Sequence, residues 1–176
     1  MLKALDHNPD IPIKTIVSYE GPDFMTRTIH NPNLDRIIQV RGTQGNLGYY
    51  FDGSASAGPV GSIEWKDLGP GGLEFRDYKG VNTAGNERAI ENIHIEILGA
   101  RHNDFDYHPE DPDPTFREIS RKTNLFMREL DRVSVNQVRL SGFLDSGRPG
   151  ITYDKNRKVY VIDPEKYESD QGGAQS

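Results

Sequence analysis

The stretch Asn92-Ile93-His94-Ile95-Glu96-Ile97-Leu98-Gly99-Ala100-Arg101-His102 decides the fold of this chain. Its three isoleucines stand at every second position, which is the pattern of a β-strand, and Gly99 ends the run. The strand predicted over Asn92–Leu98 therefore leads into a turn of small residues and then into a histidine. Open α/β sheets carry their ligand-handling residues in the loops at the carboxyl ends of the strands, so His102 is the first candidate for a functional side chain.

Two apolar, β-branched runs predict strands before this one. The first is Ile11–Tyr19, bounded by Gly21-Pro22, and the second is Arg36–Arg41, which Gly42 ends. A glycine-rich excursion follows over 42–85 and holds 11 of the 18 glycines. A structureless loop of this length is uncommon in a compact domain, so part of the excursion is expected to form short extended pieces.

An amphipathic helix is predicted after the His102 strand, from Pro114 to Arg132. Asp113 is a good N-cap, and Pro114 occupies the first helical position, where its missing N–H costs nothing. The apolar residues fall on one stripe at helical spacing, which predicts packing against a sheet; they are Phe116, Ile119, Phe126, Leu130 and Val133.

The end of the chain reads as extended structure. Val135–Leu140 is predicted to be a strand, and Gly150–Tyr153 with Lys158–Ile162 predicts a β-hairpin. The sequence thus predicts a single α/β domain over 1–164, with a small, mostly parallel sheet, a packed amphipathic helix and a C-terminal β-hairpin. The polar, glycine-rich segment 165–176 is predicted to be a disordered tail.

Composition excludes several classes of protein. The formal charge of −6 argues against a nucleic-acid surface, which needs clustered Lys and Arg. No run approaches the roughly 18 apolar residues of a membrane span, and the N-terminus lacks the apolar run of a signal peptide. The absence of cysteine excludes disulfides and thiolate metal sites. A soluble, acidic protein is expected, and its location stays open.

The order of these elements resembles the C-terminal half of a lipase-like α/β-hydrolase, of the kind found in large bacterial proteins. The resemblance covers about Ile11 to Val133 and places His102 at the position of the catalytic histidine. It implies a serine-hydrolase activity on ester or lipid substrates, with His102 as general base. It also implies that the acid that orients this histidine follows the second strand.

Three further residues are candidates for completing this site, and they are Asp52, Asn46 and Ser56. The loop Gly42–Gly48 holds no carboxylate, so the acid is either Asp52, the nearest one beyond it, or is replaced by Asn46. No Gly-x-Ser-x-Gly elbow is present, and Ser56 in Ser54-Ala55-Ser56-Ala57-Gly58 comes closest. The resemblance therefore implies a nucleophile outside this chain, on a missing upstream half or a partner chain, or less favourably Ser56.

Two other functions stay open. Histidines and aspartates crowd into the 12 positions from His102 to Asp113, with His108 between them, which suits Zn²⁺ or Mn²⁺ and a metal-dependent nuclease. Pro109 and Pro112 within this stretch and Pro114 directly after it make it stiff, however. An acidic cap also favours the start of a helix, so no metal or other cofactor is expected. The third possibility is a non-catalytic module of a larger bacterial secreted or effector protein. It would bind a protein partner through its acidic Asp104–Asp113 loop and its tyrosine-rich Tyr49–Phe51 segment.

Overall fold

The computed structural model describes residues 8–20, 28–44, 75–107 and 109–169. Its strands are β1 (Thr15–Tyr19), β2 (Thr28–Ile29), β3 (Arg36–Gln44), β4 (Lys79–Val81), β5 (Glu87–Ala89), β6 (Glu91–Arg101), β7 (Ile151–Asp154) and β8 (Val159–Ile162). A five-stranded sheet has the order β1-β3-β6-β8-β7. Four of its strands run parallel, and β7 pairs antiparallel with β8. The predicted α/β fold with a mostly parallel sheet and a C-terminal hairpin is confirmed.

Helix α1 (Pro114–Val133) covers one face of this sheet, as its apolar stripe predicts. The Asp113 side chain accepts the N–H of Thr115 at 2.9 Å and so caps the helix. Core residues alternate along the central strands because every second side chain points to the helix; they are Ile38, Val40, Ile95 and Ile97 from the sheet and Phe126 and Leu130 from α1.

The opposite face of the sheet carries a second, smaller core. Ile16 and Ile37 on β1 and β3 pack there with Ile29, Leu34, Tyr78 and Ile90. Strand β4 lies within the glycine-rich excursion and pairs antiparallel with β5, beside β2. This part of the excursion is therefore extended.

Helix α2 (Gln137–Leu144) replaces the strand predicted over Val135–Leu140, and that prediction is wrong. The Asn136 side chain accepts the N–H of Arg139 at 3.0 Å and starts the helix. Leu140, Phe143 and Leu144 then reach the core at helical spacing. The β-branched residues that suggested a strand, Val135 and Val138, are each 81% exposed.

The segment that follows β8 also differs from the predicted tail. Tyr167 is fully buried, with its ring edge-on to Phe126 at a centroid distance of 5.6 Å. Gly150 makes this possible, since a Cβ there would lie 2.5 Å from the Cα of Tyr167. An aromatic anchor thus ties residues 165–169 to the core.

Of the helices in the described part of the chain, none has both the length and the apolar character needed to cross a bilayer.

Candidate functional site: a histidine and a glutamate at the carboxyl edge of the sheet

Three neighbouring parallel strands end at one edge of the sheet. Strand β1 leads into Glu20, β3 passes through Gly42, and β6 leads into His102. Because the strands are parallel and adjacent, their carboxyl ends converge, which is where open α/β sheets place ligand sites. His102 thus lies at the strand end where its sequence position predicts it.

The imidazole of His102 faces the carboxylate of Glu20. Nδ1 of His102 lies 3.7 Å from Oε2 of Glu20, and the Glu20 side chain is 1% exposed against 29% for His102. The other carboxylate oxygen, Oε1, accepts the backbone N–H of Gly42. Oε2 accepts no hydrogen bond from the described residues. A buried carboxylate is costly without a cation, and the imidazole provides the place where a positive charge would be stabilised.

Glu20 has an unusual backbone conformation, with a φ of 52°. The left-handed region costs a non-glycine residue about 1–2 kcal/mol, and such strain persists where the surrounding structure enforces it, often at functional sites. Two contacts enforce it here. The Glu20 N–H donates to the Val40 carbonyl at 2.9 Å, and the neighbouring Tyr19 hydroxyl donates to Asp131 of α1 at 2.6 Å.

A short 3₁₀ helix, His102–Phe105, holds the histidine in place. Its anchor is the buried carboxylate of Asp104, which accepts the Arg101 backbone N–H at 2.7 Å and the Arg101 guanidinium at 2.9 and 3.1 Å. The Asp104 carbonyl accepts Ser120 Oγ at 3.3 Å and Asn124 Nδ2 at 3.0 Å. The turn that carries His102 is thus bonded to β6 on one side and to α1 on the other.

The acidic stretch before α1 has a structural explanation. The Arg101 guanidinium also bonds Asp111 at 2.9 Å and lies 3.6 Å over the Phe116 ring. The hydrogen bond from Arg101, with that from the Asp113 N–H, holds the pKa of the Asp111 carboxyl below its ordinary value. In the parts of the chain that the structure describes, which leave out His108, no three His, Cys, Asp or Glu side chains are grouped to hold a metal ion.

Replacing Gly42 by alanine is expected to destabilise the protein by about 3 kcal/mol, since overpacking between backbones cannot be relieved by a side-chain rotation. A Cβ at Gly42 would stand 2.7 Å from the carbonyl carbon of Ala100 on β6. Urea unfolding measures the loss. Gly142→Ala in α2 is the matched control, because a Cβ there meets nothing within 4 Å. A Gly42→Ala protein as stable as the wild type would contradict the close approach of β3 and β6.

Glu20 is not among the site residues predicted from the sequence. The resemblance implies an acid in the loop after Val40, whereas the carboxylate that faces His102 follows β1. The available signal was the turn Tyr19-Glu20-Gly21-Pro22, which puts an acid directly at a strand end. The other site residues predicted from sequence, Asn46, Asp52 and Ser56, lie outside the described residues.

A half-buried imidazole beside a buried carboxylate is the pairing that general-base sites use to orient a histidine. These features define an α/β domain with a histidine–carboxylate pair at the carboxyl edge of its sheet. Comparison with protein-family models, curated proteins and solved structures finds no significant match. The geometry of the His102–Glu20 pair is therefore the basis for the proposed function.

Proposed function

We propose that this chain supplies the general base and its orienting acid to a serine-hydrolase-type site that acts on ester or lipid substrates. The observation that carries the proposal is the buried Glu20 carboxylate 3.7 Å from Nδ1 of His102. When the 3.7 Å separation shortens to a hydrogen bond in the substrate complex, the N–H of Nδ1 donates to Glu20 and Nε2 takes the proton of the attacking hydroxyl. Glu20 replaces Asn46 and Asp52 as the proposed acid.

The sheet offers a place for the missing nucleophile. Strand β1 is the edge strand of the five-stranded sheet in the described part of the chain, and it runs parallel to β3. An edge strand presents unpaired backbone N–H and C=O groups to which a further strand can pair. A further parallel strand paired with β1 would end beside Glu20, so a serine at its carboxyl end would stand near His102. An upstream half or a partner chain would supply this strand, with Ser56 as the alternative.

The two other functions have less support. The metal-dependent nuclease would need the carboxylates of Asp104 and Asp111, which Arg101 engages. The interaction module would present the acidic Asp104–Asp113 loop to a partner. In that loop, however, the Asp113 carboxylate already accepts the Thr115 N–H as the N-cap of α1.

The direct test uses a short-chain p-nitrophenyl ester and a fluorophosphonate probe. Both are applied to this chain and to a version extended by any coding sequence that precedes Met1. We expect turnover and labelling of a serine in at least one of the two proteins, and His102→Ala should lower the turnover by about 10³-fold or more. The matched control is His30→Ala, on a histidine that directly follows β2.

The labelled peptide identifies the nucleophile as Ser56 or as a serine of the extension. Absence of both turnover and labelling in both proteins would overturn the proposal, as would turnover that His102→Ala leaves unchanged.

A further inference from the structure

A cavity of about 350 Å³ lies between α1 and α2, away from the His102–Glu20 pair. Its lining includes Glu129 and Arg132 from α1, Arg139, Gly142 and Phe143 from α2, and Arg148 after α2. Glu129 stands two positions before Asp131, the residue that contacts Tyr19 beside Glu20. Two positions correspond to more than half a turn of helix, so the cavity faces away from the side of α1 that holds the end of β1.

Among the described lining residues of this cavity, basic side chains outnumber acidic ones. Arg148 and Glu129 form an ion pair at 2.6 Å in which both side chains are largely buried, so their charges offset each other. The guanidinium groups of Arg132 and Arg139 line the same space, and Glu129 is the sole carboxylate among the described lining residues. Three arginines from three segments meet here in a chain whose formal net charge is −6.

At Gly142, helix α2 has no side chain that would extend into the cavity. Glycine in a helix interior is less favourable than alanine because it loses more backbone freedom on folding. Packing does not require glycine here, since a Cβ built on Gly142 meets no described atom within 4 Å outside its chain neighbours and the backbone of its own helix. The helix forgoes a side chain at the point where α2 borders the cavity.

We propose that this cavity binds a small organic molecule through an oxyanion group, a carboxylate or a phosphate. Arginine presents a planar set of N–H donors that matches both groups, and it keeps its charge at every physiological pH. The volume lies at the lower end of the range for small-molecule pockets, which favours a small ligand over a macromolecule. This inference does not rest on the proposed hydrolase function.

Isothermal titration calorimetry of the whole chain tests the proposal with benzoate, phenyl phosphate and the uncharged benzyl alcohol. We expect at least one anion to bind with a dissociation constant below the millimolar range, and its affinity to fall as NaCl is added. The uncharged probe is expected not to bind. The preference between benzoate and phenyl phosphate assigns the oxyanion as a carboxylate or a phosphate.

Variants then locate the site. Gly142→Leu fills the space and is expected to weaken binding at least tenfold, while the melting temperature stays the same or rises. Arg139→Gln, on an exposed side chain, should weaken binding about tenfold. Arg157→Gln is the matched control, because Arg157 pairs with Glu96 on another part of the surface. The proposal is wrong if neither anion binds in the millimolar range, or if Gly142→Leu and Arg139→Gln both bind as the wild type does.

Discussion

Exchanging Glu20 for glutamine is expected to lower ester turnover by about 10²–10⁴-fold in the form of the protein that carries the nucleophile, because the amide cannot stabilise an imidazolium. The amide oxygen can still accept the Gly42 N–H that Oε1 accepts in the wild type. The expected loss is therefore in kcat rather than in the fold. Turnover as a function of ester concentration, measured beside a melting curve, separates the two effects.

The same exchange should leave the melting temperature unchanged or raise it. Glu20 combines a buried carboxylate with an oxygen that accepts no hydrogen bond from the described residues. Such a group is unfavourable for stability, because its desolvation is not fully compensated. Glu87→Gln is the control, since Glu87 is an exposed partner of Lys79. A Glu20→Gln protein that melts far below the wild type but retains full turnover would assign Glu20 to structure instead.

The second large effect concerns the buried ion pair of Arg148 and Glu129, joined at 2.6 Å. Removing one partner of a buried pair leaves an uncompensated charge, so Arg148→Met is expected to cost about 3–5 kcal/mol at neutral pH. Chemical denaturation gives the free energy of unfolding. The matched control is Arg157→Met, which breaks a pair with Glu96 at the surface and should cost about 0–1 kcal/mol.

The cost of Arg148→Met is expected to shrink as the pH falls. Burial raises the pKa of Glu129, but hydrogen bonds from Ser169 and Arg148 and the charge of Arg148 outweigh it, so the pKa lies below its ordinary value. The wild type therefore gains stability from Glu129 above the unfolded pKa and loses it as the pH falls through the folded one. Without Arg148, the effect of burial on the pKa of Glu129 is opposed less, so the carboxyl group protonates at a higher pH.

Unfolding measured at neutral pH and near pH ~4 checks this sign. The difference in the free energy of unfolding between the wild type and Arg148→Met should be large at neutral pH and small in acid. The double variant Glu129→Gln/Arg148→Met carries no charge at either position of this pair and should recover most of the lost stability. A difference that is the same at both pH values, or a double variant as unstable as Arg148→Met, would contradict the account.

The amino-acid sequence alone predicts the elements whose signals are local. Alternating isoleucines in β6, the Asp113-Pro114 start of α1 and the C-terminal hairpin are each encoded within a few residues, and the structure has all three. Parallel pairing also follows, because strands joined by long connections cannot form a tight hairpin. His102 could be placed at the sheet edge for the same reason.

Tertiary structure decided the features that depend on residues far apart in the chain. Glu20 meets His102 because β1 and β6 both flank β3, and no local pattern reports that adjacency. Burial of Leu140 and Phe143 against α1 and the sheet favours helix α2 and overrides the strand preference of Val135, just before the helix, and of Val138 within it. Tyr167 joins the core from a polar segment because Gly150 lets the two backbones approach. Short-range periodicity specifies elements, whereas long-range packing chooses their partners.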